Sequence, residues 1–296
     1  SFCTAVGYNS LTANTGPHNT AVGNITLEDN TSGEGNVALG SFALKNNTTG
    51  NTNIGLGNDS LGANTTGGQN VAIGHQALNA NTTASNNIGV GYRSLVSNTT
   101  GEQNVAVGNQ ALDANTTASY NVAIGQEALT ANTTGASNTA IGRNTLGANT
   151  TASENTAVGA LALDANTSAS FNTAVGSQAL SSNTTGHSNT SVGRFSLANN
   201  TTGNQNTAVG RNSLAANTGS SNTAVGYVAL TANTTGDQNV AIGDVSLDAN
   251  TTGSQNTAVG KASLSGNTTG EKSVAVGNRA LKSSTTGNYN VAVGRG

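Results

Sequence analysis

A short Ala-Val-Gly-like triplet returns every 17 residues, from Ala5-Val6-Gly7 to Ala292-Val293-Gly294, and the unit around it accounts for essentially the whole 296-residue chain. Aligned on that glycine, the unit reads N-T-A-V-G-x-x-A-L-x-A-N-T-T-G-x-x, numbered here as positions 1 to 17. The spacing drops to 16 only between Gly7 and Gly23 and between Gly210 and Gly226, where Asn14-Thr15-Gly16 and Asn217-Thr218-Gly219 lack the second threonine. Self-similarity on this scale specifies stacked copies of one small unit, each touching only its neighbours. A change of length is tolerated in a surface turn, which puts Asn-Thr-Thr at a corner of the stack.

Inside the unit no 3.6-residue apolar period exists, and the glycine and β-branched content disfavours a helix. The expected fold is all-β: a β-solenoid (β-roll or parallel β-helix) of about 17 coils of 17 residues, with two short strands per coil. Each coil would have a perimeter of roughly 56 Å at about 3.3 Å per residue, and the stack would be roughly 80 Å long at about 4.8 Å per coil. One uninterrupted repeat domain, residues 1–296, is expected, read as a segment of a longer chain or fibre because no initiating Met, leader or capping segment is seen. Position 4 is always Val, Ile or Leu, from Val6 to Val293, and position 9 is always Leu, from Leu11 to Leu281. Both are predicted to form interior ladders. The Asn at positions 1 and 12 and the Gly at positions 5 and 15 are expected to serve turns and coil-to-coil amide ladders.

Charged residues make up only 8% of the chain and aromatic residues 3%, a composition that without a period would mark a disordered chain. The 17-residue repeat overrules that reading. Of the 23 Asp, Glu, Lys and Arg, 22 fall at positions 6, 7, 10, 16 and 17, the exception being Asp29 at position 11. An unpaired charge inside a thin core costs several kcal/mol, roughly, so these positions are solvated turns. The net charge of −3 is spread evenly, which argues against nucleic acid as a partner. No apolar run is long enough to insert in a membrane as a helix. Position 2 is always Thr, Val or Ile and position 3 always Ala, Gly or Ser. Neither face of the first strand carries a charge, so one face meets the coil interior and the other meets a partner chain, or else forms a flat Thr/Val surface on a monomer.

The recurring N-(T/V)-A-(V/I)-G-x-x-(A/S) resembles the head repeats of trimeric autotransporter adhesins. Fuller stretches, such as Asn121-Val122-Ala123-Ile124-Gly125 through Gly135, are similar to arrays in phage tail-fibre-like and surface proteins. The resemblance spans the chain and implies an extracellular, cell-surface or virion-surface solenoid that self-associates, as a homotrimer or a head-to-tail filament, and meets a host surface or glycan. The 17-residue period departs from the adhesin heads, whose unit is shorter.

Catalytic chemistry finds no constellation. His18, His75 and His187 fall at positions 17, 6 and 16 of distant coils, the carboxylates form no fixed pair, and the glycines never open a phosphate loop. No metal site and no cofactor are expected, and the chain is read as a non-enzyme. Candidate contacts are the aromatic residues Tyr8, Phe42, Tyr92, Tyr120, Phe171, Phe195, Tyr227 and Tyr289, which together with Phe2 all occupy positions 6, 7 or 17. They either sit on the rim because a thin coil has no room for rings, or stack on sugars or neighbouring filaments. Cys3, the sole cysteine, replaces Asn at position 1 and is a buried residue or an intermolecular thiol. Asn64 and Asn250, in Asn-Thr-Thr turns, match the N-glycan acceptor pattern.

These features suggest a non-catalytic structural or adhesive solenoid rod or filament subunit. Ice binding is the alternative, because Thr20, Thr139, Thr156 and Thr173 lie in one file, although position 2 is often Val or Ile and no Thr-x-Thr pair occurs. A polysaccharide-cleaving fibre would need carboxylates converging on a groove, which the sequence does not offer.

Overall fold

The computed structural model describes residues 2–296, which form two compact units, residues 2–152 and 153–296. Each unit is a β-solenoid. The first contains nine three-residue strands, from Thr4–Val6 to Thr139–Ile141, and the second nine more, from Thr156–Val158 to Val291–Val293. Within each unit successive strands pair in parallel with unbroken register, so that each repeat position lies beside its own copy in the next coil.

Every coil contributes one strand where two were expected. Positions 5 to 12 instead form three overlapping turns, as in Ala77 N–H to Gly74 O at 3.3 Å, Asn79 N–H to Gln76 O at 3.3 Å and Asn81 N–H to Leu78 O at 3.1 Å. The third residue of the first two turns has positive φ, 55° at Gln76 and 52° at Leu78, as a type II turn requires. The turns still bond to both neighbouring coils, through Gln76 N–H to Asn58 O and Leu78 N–H to Ser94 O, but this is no β-ladder. A left-handed backbone costs a non-glycine residue about 1–2 kcal/mol. Position 9 bears that cost in every coil, with φ from 48° to 55°. Its leucine is fully buried from Leu27 to Leu264, and such burial contributes about 1.5–3 kcal/mol, enough to offset the strained backbone.

The strand faces correct a second expectation. Position 9 is interior, as predicted, but position 4 is not: Leu39 is 49% exposed, Ile73 39% and Ile242 40%. Position 3 points inward, and Ala38, Ala72, Ala106 and Ala241 are completely buried. The coil is too thin for a large side chain from each wall. Leucine from the turn wall fills it, and alanine from the strand wall and the small residue at position 8 let the two walls close.

Asparagine forms the rest of the core. At position 12, Asn64 Nδ2 donates to Asn47 Oδ1 at 2.8 Å and to Gly67 O at 2.9 Å. At position 1, Asn70 N–H donates to Asn53 Oδ1 at 3.0 Å and its Nδ2 to Ala84 O at 2.9 Å. These amides satisfy carbonyls and N–H groups that the corners would otherwise leave buried and unpaired. The threonine at position 14 is exposed at Thr49 and Thr66, so its deletion removes nothing from the interior. In the short coils Gly16 and Gly219 donate directly to Thr31 O and Thr234 O, each at 3.1 Å, the bond that the missing threonine makes elsewhere.

Candidate functional site

The residues that leave the core define the surface available for function. Positions 2 and 4 stand side by side on the outward face of every strand, in two parallel files about 4.8 Å per step. In the first unit the files run Thr20, Val37, Ile54, Val71, Ile88, Val105, Val122 and Val22, Leu39, Leu56, Ile73, Val90, Val107, Ile124. In the second they run Thr156, Thr173, Thr190, Thr207, Thr223, Val240 and Val158, Val175, Val192, Val209, Val225, Ile242. No member of either file is charged. Both faces are flat, repetitive and apolar or hydroxylic, with the second richer in threonine.

Two corners flank each face. Positions 6 and 7 carry Tyr8, Phe42 and Tyr92 in the first unit and Phe195 and Tyr227 in the second, while position 17 carries Phe2 and Tyr120 in the first and Phe171 and Tyr289 in the second. The rings are spread along these edges, and their recorded partners are cations and imidazoles: Tyr92 stacks on His75 at 5.7 Å and Phe2 on His18 at 6.1 Å. Arg194 lies 4.4 Å from the Phe195 ring, Arg211 5.9 Å from Tyr227 and Lys272 5.3 Å from Tyr289. Tyr8, Tyr120, Phe171 and Tyr289 are more than half exposed. The corner rings therefore project from the solenoids and take no part in the core.

Cys3 is half-buried and continues the asparagine ladder, its Sγ donating to Gly16 O at 3.4 Å and accepting from Asn14 Nδ2 at 3.5 Å. The glycan-acceptor expectation at Asn64 and Asn250 is overturned. Both side chains are completely buried, and Asn250 Nδ2 is engaged with Asn233 Oδ1 at 2.8 Å and Gly253 O at 2.9 Å. A sugar on either nitrogen would break the ladder and have nowhere to go.

Among the described residues no three His, Cys, Asp or Glu side chains are grouped to hold a metal ion, and no helix is long and apolar enough to cross a membrane. His18 and His75 stack on rings and His187 contacts Ser188, so the three imidazoles serve separate corners. Ion pairs join Arg93 to Asp113 at 3.5 Å and Lys261 to Asp244 at 3.2 Å. Burial raises the Asp248 carboxyl above its ordinary value of 3.8, N–H bonds from Asp248 and Ala249 oppose that rise, and nearby Asp244 reinforces it. A raised folded pKa contributes stability that is fully present below 3.8 and lost as pH rises through the raised value. Asp248→Asn is thus expected to melt slightly higher than the parent at pH 7 and level with it at pH 3, by thermal denaturation. Position 10 already accepts Asn at Asn79, and a lower melting point at pH 7 would refute the assignment.

No protein-family model matches this chain, and no characterised protein matches it significantly in sequence.

Proposed function

We propose that the chain is a non-catalytic structural and adhesive module of an extracellular surface or filament, and that it self-associates through the outward strand faces. The observation that carries this reading is the uncharged outward face, where Leu39, Ile73, Val107 and Ile124 in one unit and Val175, Ile242 and Val276 in the other remain more than a third exposed. A surface evolved to stay in water places charges on such a strand to block pairing and aggregation. Here no charge falls at positions 2 to 4, which leaves the faces free to meet copies of themselves, an arrangement suited to symmetric oligomers. The similarity of the N-T-A-V-G unit to adhesin heads and tail-fibre-like arrays supports an extracellular setting.

Lysine at Ile124 or at Ile242 tests the assembly. Each variant keeps the interior intact, because position 4 is outside it, and is expected to weaken self-association at least tenfold in sedimentation velocity while melting normally. Unchanged association in both variants would remove the outward faces from the interface.

One observation favours a second reading. Five successive strands of the second unit present Thr156, Thr173, Thr190, Thr207 and Thr223 in a single file, a regular hydroxyl lattice of the kind that could order water. Ice binding predicts thermal hysteresis from the purified protein, and its absence would leave the assembly reading alone.

A further inference from the structure

Position 10 is glycine twice in the first unit, at Gly62 and Gly147, and at Gly62, beside Phe42 and Lys45, the missing side chain leaves a concavity. Position 10 of successive coils is occupied by Lys45, Gly62 and Asn79, so one side chain is missing between a lysine and an asparagine. The gap is a notch of about 370 Å³ lined by Phe42, Lys45, Asn46, Asp59, Gly62, Ala63 and Asn79. That volume is within the range of small-ligand sites, roughly 300–1,000 Å³.

Its walls carry an unusual combination for this chain. Phe42 supplies a ring that is only partly covered. Lys45 Nζ stands 6.0 Å from the ring centroid, at the outer limit of a cation–π contact, about 6 Å. Neither Lys45 nor Asp59 belongs to the ion pairs found among the described residues, although both line the same notch. Asn79 is oriented, its Nδ2 donating to Asp59 O at 2.9 Å, which leaves its carbonyl oxygen available, and Asn46 adds a second carboxamide. One ring, one cation, one anion and two amides therefore converge on a single concave patch.

We propose that this notch binds one neutral pyranose unit of a glycan. A pyranose offers an apolar C–H face to an aromatic ring and hydroxyls that both donate and accept. Phe42 takes the C–H face, Asp59 and the Asn79 carbonyl accept from ring hydroxyls, and Lys45 and the Asn46 amide donate to ring oxygens. Because Lys45 and Asp59 offset each other in charge, an uncharged sugar fits better than a carboxylated or sulfated one. The inference rests on the adhesive reading above and gives it a ligand class.

Saturation-transfer NMR with the methyl glycosides of glucose, galactose, mannose and N-acetylglucosamine tests the site. The informative variant is Gly62→Thr, which refills the notch with a residue that position 10 already uses at Thr12 and Thr130. The new Cβ would approach Asn79 Nδ2 to 3.0 Å and Asp59 O to 3.4 Å, and the flexible Asn79 end can yield. At least one glycoside is expected to give a signal with the parent chain, reduced at least tenfold in Gly62→Thr and in Phe42→Ala, with melting temperature and particle mass unchanged in Gly62→Thr. No signal from any of the four, an undiminished signal in Gly62→Thr, or binding confined to methyl glucuronide as a fifth probe would each overturn the proposal. Since particle mass is read on the same samples, failure of the notch is separable from failure of assembly.

Discussion

Alanine at Gly74 is expected to lower the stability of the first unit by more than about 4 kcal/mol, a drop of roughly 10–15 °C in its melting midpoint. Two independent causes act at this one position. Gly74 has φ of +132°, and a Cβ built on it would lie 2.5 Å from Gly91 O and 2.7 Å from Gly91 C. Those atoms belong to the backbone of the next coil, so no side chain can move to relieve the contact. The strand pairing that holds the coils at about 4.8 Å would have to open locally. A stacked solenoid transmits such a defect mainly to its nearest neighbours. Limited proteolysis should therefore cut near residues 74–91 before the rest of the unit. A Gly74→Ala chain with the parent's melting curve would show that the coils do not approach this closely.

The second large effect is expected from the asparagine ladder. Asn98 Nδ2 donates to Asn81 Oδ1 at 3.1 Å and to Gly101 O at 2.9 Å, and Asn98 Oδ1 accepts from Asn115 Nδ2 at 2.8 Å. Asn98→Ala orphans the buried Asn81 Oδ1, at about 1–3 kcal/mol, and takes one bond each from Gly101 O and Asn115 Nδ2, which keep Asn87 Nδ2 at 2.8 Å and Ala118 O at 3.1 Å. The expected loss is roughly 2–5 kcal/mol, one orphaned oxygen plus two lost hydrogen bonds of about 0.5–1.5 kcal/mol each. Asn98→Asp should be worse at neutral pH, because a carboxylate brought against Asn81 Oδ1 and Gly101 O faces two acceptors and cannot donate to either. Chemical denaturation of the two variants beside the parent checks the order. If Asn98→Ala costs less than Thr100→Ala, a change to an exposed residue at the same corner, the ladder is not part of the core.

These two effects also mark what could be read in the amino-acid sequence. The period, the parallel stacking, the position of the short coils and the confinement of charge to the corners all follow from which residue types recur at 17-residue intervals. The interior leucine at position 9 was legible for the same reason. The orientation of the strand was not. In a strand of three residues, the pattern Thr-Ala-Val is compatible with either face inward, and a one-residue shift exchanges the whole set. Uniform Val, Ile or Leu at position 4 suggested burial, but the interior accepts only one large residue per coil, and the leucine at position 9 already supplies it.

The missing second strand was hidden more deeply. It depends on positive φ at positions 7 and 9, occupied by residues such as Gln76, Arg93 and Leu95 whose identity does not announce a left-handed backbone. Asn64 and Asn250 misled in another way. Their Asn-Thr-Thr context is a glycan acceptor pattern, yet the same amide is what a buried corner needs to satisfy its carbonyls. Of the candidate surface residues, the corner rings were placed correctly at solvated positions. The notch around Gly62 was missed because its signal is the absence of a side chain between Lys45 and Asn79, visible only when position 10 is followed from coil to coil.

The assignment of the outward faces to contacts between copies of the chain is tested most directly by the mass of the native particle, measured by light scattering behind size exclusion at micromolar concentration. The account predicts a defined multiple of the 29.0 kDa chain mass, or an open-ended assembly, which Ile124→Lys or Ile242→Lys reduces toward the single chain. A parent protein that remains at 29.0 kDa across that concentration range would contradict it.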